Sequence, residues 1–385
     1  MGDLILKTKE DVEHFLTGCA FLGTGGGGEV YVGRNTLYKC LDDGTEIRLT
    51  DPKMIQDDAT YCCAFFMGSI APKTEEIKAE MERLGYQKRT LDFVDMLVGA
   101  VKSLEKILGH KVDGLYIAEP GGSNAACCMA AAYKLGIPIF DGDPAGRAIP
   151  EMTNGLFAIY DKSCLPIAYC DAWGNQNATI HAMGYPAAER IGKYLSEASY
   201  GEMAEAAYSI SGKELKELFV FKSLSKAFEI GKTIHKYTWK DGDMKEKNTF
   251  NYIEMLKATA RIANGVFVDT GIIYNFHTDE TSGYYSGSFE IKGEKENDNY
   301  KIWFKNENHI LWINDEPKST SPDLISLINL EDGEPLLNSH LKDGLLVGII
   351  ISSACKQYLT EKAISSFGPR YFGYDFDYVD YKTAL

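Results

Sequence analysis

EPGGSNAACCMAAAYKLGIPIFDGDPAGRAIPE, residues 119–151, is the stretch that decides the fold of the first half of the chain. An apolar run over residues 112–118 stops at the turn that begins with Glu119, and small residues then fill positions 123–133. A short apolar run, a turn rich in Gly and a longer helical pattern predict a strand, a tight turn and a helix. We interpret this order as part of an α/β domain.

Acidic residues follow the next predicted strand as well. The apolar run over residues 137–140 ends on Asp141 and Asp143, with Arg147 just beyond, and Glu119 ends the strand before it. In open α/β sheets, ligands bind outside the carboxyl ends of the strands. We therefore predict the functional site at these two strand ends.

Alternating strand and helix patterns extend this unit into an N-terminal α/β domain, which we predict to be a mostly parallel sheet with flanking helices. The alternation supports a first domain at residues 1–167. A helical segment follows, which we predict to run from Pro186 past Ala207. From Gly265 onward, short runs separated by Gly, Asn and Asp predict strands. Residues 168–385 are therefore expected to hold a helical segment and then a β-rich domain.

Length and composition limit the class of protein. The chain of 385 residues exceeds the limit of about 250–300 residues for one hydrophobic core, so two domains are expected. Forty basic residues face fifty-five acidic ones, which gives a net charge of −15. Nucleic acids and anionic membranes bind basic faces, so this balance argues against both partners and favours a small-molecule substrate.

No targeting segment is recognisable in the sequence. The N-terminus lacks a basic region followed by a long apolar run, and eighteen apolar residues never occur together. We therefore expect a soluble, cytoplasmic protein, and the sequence leaves a homodimer open. The nine cysteines fit neither a disulfide framework nor a CxxC zinc pattern, so we interpret them as small buried side chains.

Five glycines occur within residues 23–28, GTGGGG, between two predicted helices. Each glycine costs about 0.5–1 kcal/mol of ordering entropy relative to Ala, so this composition indicates a need for backbone freedom. The loop is predicted to hold an anion or a planar polar ligand, or else to pack tightly against another backbone. The predicted ligand contacts are the N–H groups of Gly25, Gly26, Gly27 and Gly28. Glu29 stands where a P-loop has lysine, which excludes a P-loop.

The acidic residues at the strand ends allow two interpretations. Asp141 and Asp143 face the same way in an extended chain, and Glu119 comes from the preceding strand end, so the three would raise one another's pKa or share a cation. Such a group suits metal ligation or general acid–base catalysis. Alternatively, an aspartate caps the next turn and Glu119 pairs with Arg147.

Other polar residues near the strand ends are candidate ligand contacts. Arg147 suits a bidentate contact with a substrate carboxylate or phosphate, or alternatively a salt bridge to Glu151. Asn124 follows Gly121 and Gly122 and suits either a ligand contact or a helix start. We predict that Gly121, Gly122, Asn124 and Arg147 contact the substrate.

The seven histidines form no HxH, HxxxH or HExxH motif, so the sequence alone proves no metal site. We keep His181 and His309 as candidate metal ligands, together with Asp141 and Asp143. The alternative for each histidine is a surface position or a core position with satisfied hydrogen bonds. No GxSxG elbow occurs, which disfavours a serine hydrolase.

Eight stretches spread over nearly the whole chain carry a family resemblance. They are residues 18–19, 22–28, 119–124, 141–151, 306–307, 322–325, 332–335 and 368–374. As a set they resemble the S-methyl thiohydantoin desulfurase family, whose members often lie beside hydantoinase/oxoprolinase proteins. The resemblance implies an α/β N-terminal domain, a β-rich C-terminal domain, and hydrolysis of a C–S bond at a hydantoin-type ring.

The resemblance also implies a metal-dependent reaction on a thioxo- or S-methyl-imidazolidinone, with release of sulfide or methanethiol. A divalent metal ion, with zinc as the candidate, would activate water, and a carboxylate would move protons. We assign Asp143 and Glu119 to these catalytic tasks. The alternatives are a ring amide hydrolase acting on hydantoin or oxoproline rings, and a non-catalytic nucleotide or metabolite sensor.

Overall fold

The computed structural model describes residues 2–67, 73–240, 243–244, 251–281, 284–295 and 298–385. Its architecture confirms the predicted class, an N-terminal α/β domain with helices against its sheet and a β-rich C-terminal domain. The first helix, which precedes the glycine-rich residues 23–28, begins directly after Thr8. The Thr8 hydroxyl accepts a hydrogen bond from the Asp11 N–H, and the Asp11 carboxylate accepts one from the Thr8 N–H, which forms a capping box.

The helices are α1 (Lys9–Leu22), α2 (Val30–Asp42), α3 (Glu75–Leu84), α4 (Phe93–Leu108), α5 (Asn124–Leu135), α6 (Leu156–Ile159), α7 (Tyr185–Ala198), α8 (Gly212–Leu218), α9 (Ser223–Thr238), α10 (Tyr252–Ile262), α11 (Glu361–Phe367) and α12 (Tyr381–Ala384). None of these described helices is long and apolar enough to span a membrane.

The strands are β1 (Leu4–Leu6), β2 (Ile47–Leu49), β3 (Thr60–Met67), β4 (Gly114–Tyr116), β5 (Gly142–Asp143), β6 (Ile167–Asp171), β7 (Gln176–Thr179), β8 (Met203–Ser211), β9 (Val220–Phe221), β10 (Trp239–Lys240), β11 (Asp243–Met244), β12 (Gly265–Thr281), β13 (Tyr284–Gly293), β14 (Asn299–Lys305), β15 (Glu307–Ile313), β16 (Glu316–Thr320), β17 (Leu324–Asn329) and β18 (Leu346–Ser352).

The N-terminal sheet has five strands in the order β4, β3, β8, β6 and β7. β3 and β4 run parallel, joined by a crossover that contains α3 and α4, whereas β8, β6 and β7 are antiparallel to their neighbours. The sheet is therefore mixed, not mostly parallel. The predicted strand at 137–140 makes isolated parallel bridges to Thr50 and Leu115, because the chain then turns into β5 and pairs with β9.

The strand β8 lies where the sequence predicted helix. The predicted helix from Pro186 past Ala207 ends as α7, and Tyr200 and Gly201 then turn the chain with positive φ. Residues Met203–Ser211 form the middle strand of the sheet, between β3 and β6. Their Ala, Met and Glu residues favour helix, but burial inside a sheet overrides that weak intrinsic preference.

The N-terminal sheet also continues past the predicted division between domains. β6 begins at Ile167, and β7 and β8 follow it in the chain and join the same sheet. The boundary predicted at residue 167 therefore coincides with the start of a buried strand. The sequence pattern changed there because the strands became antiparallel, which does not require the domain to end.

The C-terminal domain is one antiparallel sheet of seven strands in the order β16, β15, β14, β13, β12, β18 and β17, curled into a half-barrel. The 17-residue β12 pairs with β18 through its first part and with β13 through its later part. Alternate residues, including Phe289, Ile291, Ile302 and Phe304, are buried in a common core.

Helices α1 and α9 cross at a pair of glycines. A Cβ atom on Gly18 would lie 1.6 Å from the carbonyl oxygen of Ala227, and one on Gly231 would lie 1.8 Å from the carbonyl oxygen of His14. Any side chain at the crossing would therefore push the helices apart. Because α1 leads directly into the glycine loop at 23–28, this crossing fixes where the loop begins.

A Gly18→Ala variant is expected to lose about 1–3 kcal/mol of unfolding free energy, because its methyl group overpacks the helix crossing. Denaturant unfolding followed by circular dichroism measures this loss. Gly184→Ala is the control, since a Cβ there would meet only Pro186 Cδ at 3.9 Å. Equal unfolding midpoints for the two variants would contradict the account of the crossing.

Candidate active site

The glycine loop at 23–28 is attached to the C-terminal domain. The Asn308 N–H donates to the Thr24 carbonyl oxygen at 2.8 Å, and the Asn338 N–H donates to the Gly25 carbonyl oxygen at 2.8 Å. The Thr24 hydroxyl donates to the Ile325 carbonyl oxygen at 2.8 Å. The loop therefore belongs to a boundary between the two domains, which is a common position for a ligand site.

The loop packs tightly against backbone, which is one of its two predicted roles. A Cβ on Gly27 would lie 2.7 Å from Gly121 Cα, and one on Gly122 would lie 2.6 Å from the Gly28 carbonyl oxygen. Gly121 and Gly122 are buried and let the turn after β4 lie directly on the loop. The structure thus gives Gly121 and Gly122 a packing role.

The loop also carries free hydrogen-bond donors. Gly25, Gly27 and Gly28 have φ values of +99°, +82° and +83°, a left-handed backbone that favours glycine. Their N–H groups have no hydrogen-bond partner among the described residues. Successive free N–H groups in such a loop form a site for negative charge or for a carbonyl oxygen. The other predicted role of this loop, binding an anion or a planar polar ligand, is therefore compatible with the structure.

Glu119 follows β4 and is held beside this loop. Its Oε2 accepts a hydrogen bond from the Ile149 N–H at 2.8 Å, and the Asn124 side chain hydrogen bonds to the same carboxyl. Asn124 Oδ1 accepts from the Phe66 N–H at 3.2 Å, so its amide N–H₂ is the group that faces Glu119. Asn124 therefore orients the carboxyl.

The pKa of Glu119 is raised to about 7. Burial is the main cause, and the negative charge of Asp143 adds to it. The hydrogen bonds from Ile149 and Asn124 and the positive charge of Arg147 oppose the rise. A carboxyl that titrates near neutral pH can both accept and release protons during turnover, as a general acid–base group must.

The structure adds Glu307, which the sequence did not single out as a site residue. Glu307 begins β15, is 3% exposed, and its Oε2 has no hydrogen-bond partner among the described residues. Burial and the charge of Glu119 raise its pKa well above the usual value, against the opposing charge of Arg147. In the sequence, the only signal for Glu307 was its place in the stretch 306–307, which belongs to the family resemblance. The segment around it predicts a strand and nothing more.

Asp141 and Asp143 support the start of α9. The Asp141 carboxylate accepts from the N–H and hydroxyl of Ser225 and lies 3.2 Å from Lys222 Nζ. The Asp143 carboxylate accepts from the Ser223 hydroxyl and, at Oδ1, from two backbone N–H groups, of which the Ala145 N–H is at 2.8 Å. Asp143 therefore caps the turn that follows it, which is the alternative to catalysis that the sequence offered.

The four residues predicted as metal ligands are not gathered into a metal site. His181 is exposed, and His309 is buried with its Nε2 3.2 Å from the Lys305 carbonyl oxygen and its ring 4.5 Å from that of Phe372. Throughout the described residues, no three His, Cys, Asp or Glu side chains are placed to hold a metal ion. The donor groups do not fit a metal, and the structure gives neither His309 nor Asp143 a ligand role.

Arg147 joins the two domains. It is fully buried, and its guanidinium donates to the carbonyl oxygens of Ala148, Pro322 and Asp323 at 2.8–2.9 Å. Its guanidinium carbon lies 4.9 Å from the centre of the Phe367 ring. The predicted salt bridge from Arg147 to Glu151 is not among the ion pairs of the described residues, where Glu151 pairs with Lys305. The contact between Arg147 and substrate stays a prediction.

The cysteines near the site are poor nucleophiles. Burial raises the pKa of Cys19 above its usual value and that of Cys355 to about 12, and the charge of Asp143 adds to both shifts. All nine cysteines are free, as predicted from their spacing. Because the thiolate is the reactive form, the raised pKa values make these two thiols weak candidates for a nucleophile at neutral pH.

Comparison with known proteins gives a consistent picture of the chain. A family model described as S-Me-THD-like, N-terminal domain, matches residues 10–180, and one described as S-Me-THD-like, C-terminal domain, matches residues 184–381. No curated protein matches. A crystal structure of a protein from Chromobacterium violaceum is 18% identical with a TM-score of 0.74, covering 98% of this chain and 99% of that one, which shows a shared fold.

Proposed function

The chain belongs to the S-Me-THD-like family, and from this premise we propose that it hydrolyses a C–S bond of a thiohydantoin-type ring. The product would be sulfide from a thioxo ring or methanethiol from an S-methyl ring. One observation carries the proposal: the Glu119 carboxyl, with a pKa of about 7, lies beside a loop with free N–H groups. That pairing suits water addition to a polar, planar ring.

Water addition to the ring C2 makes a tetrahedral centre, and negative charge develops on the ring as the C2 π bond opens. In our proposal Glu119 accepts a proton from the attacking water. The N–H groups of Gly27 and Gly28 hold a ring carbonyl oxygen and accept part of the developing charge through hydrogen bonds. Free N–H groups that need no rearrangement are well suited to this task.

A metal ion would activate water and polarise the ring if one were bound, but the described side chains offer no set of ligands for it. No step above therefore depends on a metal. The metal requirement inferred from the family resemblance stays a prediction, and treatment with a chelator tests it.

The proposal changes the role of Asp143. Its oxygens are occupied by Ser223 and by the backbone of the 143–146 turn, so we propose that it positions this turn and does not transfer protons. An Asp143→Asn variant is then expected to lose less than about tenfold in kcat, because Asn Oδ1 still accepts both backbone bonds. Steady-state kinetics checks this, and a loss as large as that of a Glu119 variant would return Asp143 to the catalytic group.

The function is tested with purified protein and a panel of 2-thiohydantoins, S-methylated and not, each assayed with and without chelator. Release of sulfide or methanethiol is the expected result, and its loss with chelator would establish a metal requirement. Release of a ring-opened acid without sulfur would favour the ring amide hydrolase. Tight nucleotide binding with no turnover of any ring would favour the sensor.

A further inference from the structure

We propose that Glu307 is a second catalytic residue, an acid partner of Glu119 at the glycine loop that exchanges roles with it during turnover. This inference rests on the proposed function and extends it. It concerns the same site but adds a residue from the other domain, so that neither domain holds a complete proton-transfer system.

The carboxyls of Glu307 and Glu119 both lie at the glycine loop. A Cβ on Gly26 would lie 2.0 Å from Glu307 Oε1, so the Glu307 carboxyl lies directly against the glycine loop. Glu119 approaches the same loop from the N-terminal domain, two residues before Gly121, which packs on Gly27. The two carboxyls therefore reach the loop from opposite domains, where its free N–H groups would hold the ring.

The Glu307 carboxyl has no evident structural role. Asp141 and Asp143 are also fully buried, yet their carboxylate oxygens accept hydrogen bonds from nearby serines and backbone. Glu307 Oε2 has no partner among the described residues, and Arg147 is already occupied by carbonyl oxygens. A buried polar atom without a partner destabilises the fold, which fits a group kept for a ligand.

The protonation of the two carboxyls also suits a catalytic pair. The charged groups that face the two carboxyls are each other, Asp143 and Arg147. Burial and the negative charge of Glu119 raise the pKa of Glu307 well above its usual value, against the opposing positive charge of Arg147, which favours the protonated form. Glu119, with a pKa of about 7, supplies the carboxylate form. In our proposal Glu307 is the acid of the resting pair and Glu119 is the base.

This pair balances the protons of the whole reaction on an S-methyl ring. As the oxygen of water bonds to C2, Glu119 takes a proton from that water, and Glu307 gives its proton to the ring nitrogen whose C2=N π electrons move onto it. The roles are then exchanged. As the C2–S bond breaks, Glu119 protonates the leaving sulfur and Glu307 takes the proton from the C2 hydroxyl. The products are methanethiol and the C2 carbonyl, and both carboxyls return to their starting states.

The test compares Glu307→Gln with Glu205→Gln. Glu205 on β8 is also fully buried, without a partner for either oxygen among the described residues, and with a pKa raised to about 8 by burial, but it does not border the glycine loop. We expect Glu307→Gln to lower kcat at least about 100-fold with KM within about threefold, and to remove one limb of the pH profile. Glu205→Gln should keep kcat within about threefold.

A second readout does not depend on turnover. Infrared difference spectroscopy of the wild type should show a protonated-carboxyl band at neutral pH that is absent from Glu307→Gln. In Glu119→Gln this band should titrate at lower pH, because the negative charge that raises the pKa of Glu307 has gone. An unshifted titration would overturn the pairing of the two carboxyls, whether or not the protein releases sulfur.

The outcomes separate the two proposals. A wild type that releases no sulfur from any ring contradicts the proposed function. The infrared titration alone then tests whether Glu119 and Glu307 form a pair. An active wild type with a Glu307→Gln variant of near-normal kcat and unchanged pH profile overturns the role of Glu307 and leaves the proposed function standing. Equal losses in Glu307→Gln and Glu205→Gln would likewise overturn it, since burial alone would explain them.

Discussion

A Glu119→Gln variant is expected to lose about two to four orders of magnitude in kcat while it keeps the wild-type fold. Glutamine has nearly the same shape and can still accept the Ile149 N–H bond that holds Glu119, but it cannot take a proton from water. Steady-state kinetics with an S-methyl thiohydantoin measures the loss. Circular dichroism and unfolding midpoints establish that the fold is retained.

The pH dependence of this variant is a sharper check. The pKa of Glu119 is raised to about 7, so its carboxylate, the active base, forms only as pH rises through that value. Wild-type kcat/KM should therefore increase from pH 5 to about pH 7, and the variant should lack this ascending limb. A limb that persists unchanged would assign the base to another residue.

The stability that Glu119 contributes to the fold should fall as pH rises, whereas activity should rise. Because the folded protein holds the Glu119 proton more tightly than the unfolded chain does, Glu119 contributes less stability as pH rises from its usual pKa towards 7. Glutamine does not ionise and avoids this loss. Above pH 7 the Glu119→Gln variant should therefore be at least as stable as the wild type, as denaturant unfolding at pH 6 and pH 8 would measure.

An Arg147→Met variant is expected to lose at least about 3 kcal/mol of unfolding free energy, because each buried carbonyl oxygen left without its donor costs about 1–3 kcal/mol. Methionine fills much of the space, but the carbonyl oxygens of Ala148, Pro322 and Asp323 lose their donor inside the protein. Because two of these oxygens belong to the C-terminal domain, the loss should also loosen the contact between domains. Denaturant unfolding should show a lower midpoint, with an earlier separate transition for one domain.

The control for this prediction is Arg370→Met. Arg370 is exposed and pairs with Asp375 and Asp377 on the surface, where such ion pairs contribute about 0–1 kcal/mol. Its unfolding midpoint should stay close to that of the wild type. If Arg147→Met were equally harmless, the carbonyl contacts of Arg147 would not hold the domains together.

Local sequence patterns were sufficient for most helices and strands. The glycines at residues 23–28 lie between two helices, α1 and α2, as predicted, and the short runs after Gly265 form the strands of the β-rich domain. Patterns failed where tertiary context decided the outcome. The Ala- and Met-rich segment Met203–Ser211 has helical composition but fills the middle of a sheet, and nothing within the segment reveals that.

The site was predictable only in its N-terminal half. The glycine loop stood out because of its composition, and Glu119 stood out because it ends a predicted strand. Asp143 stood out for the same reason, although its hydrogen bonds with Ser223 give it a structural task. Glu307 could not be identified as a partner, because its contact with the loop at Gly26 joins segments far apart in the chain. Such contacts are set by domain packing, which sequence periodicity does not encode.

The central claim is that Glu119 drives hydrolytic release of sulfur from a thiohydantoin-type ring. Its most direct test is the amount of methanethiol that purified wild type and Glu119→Gln release from an S-methyl 2-thiohydantoin at pH 7.5. We predict steady release by the wild type, one equivalent for each ring converted to hydantoin, and release near the uncatalysed rate in the variant. Equal rates in both proteins, or no methanethiol from the wild type, would contradict the account.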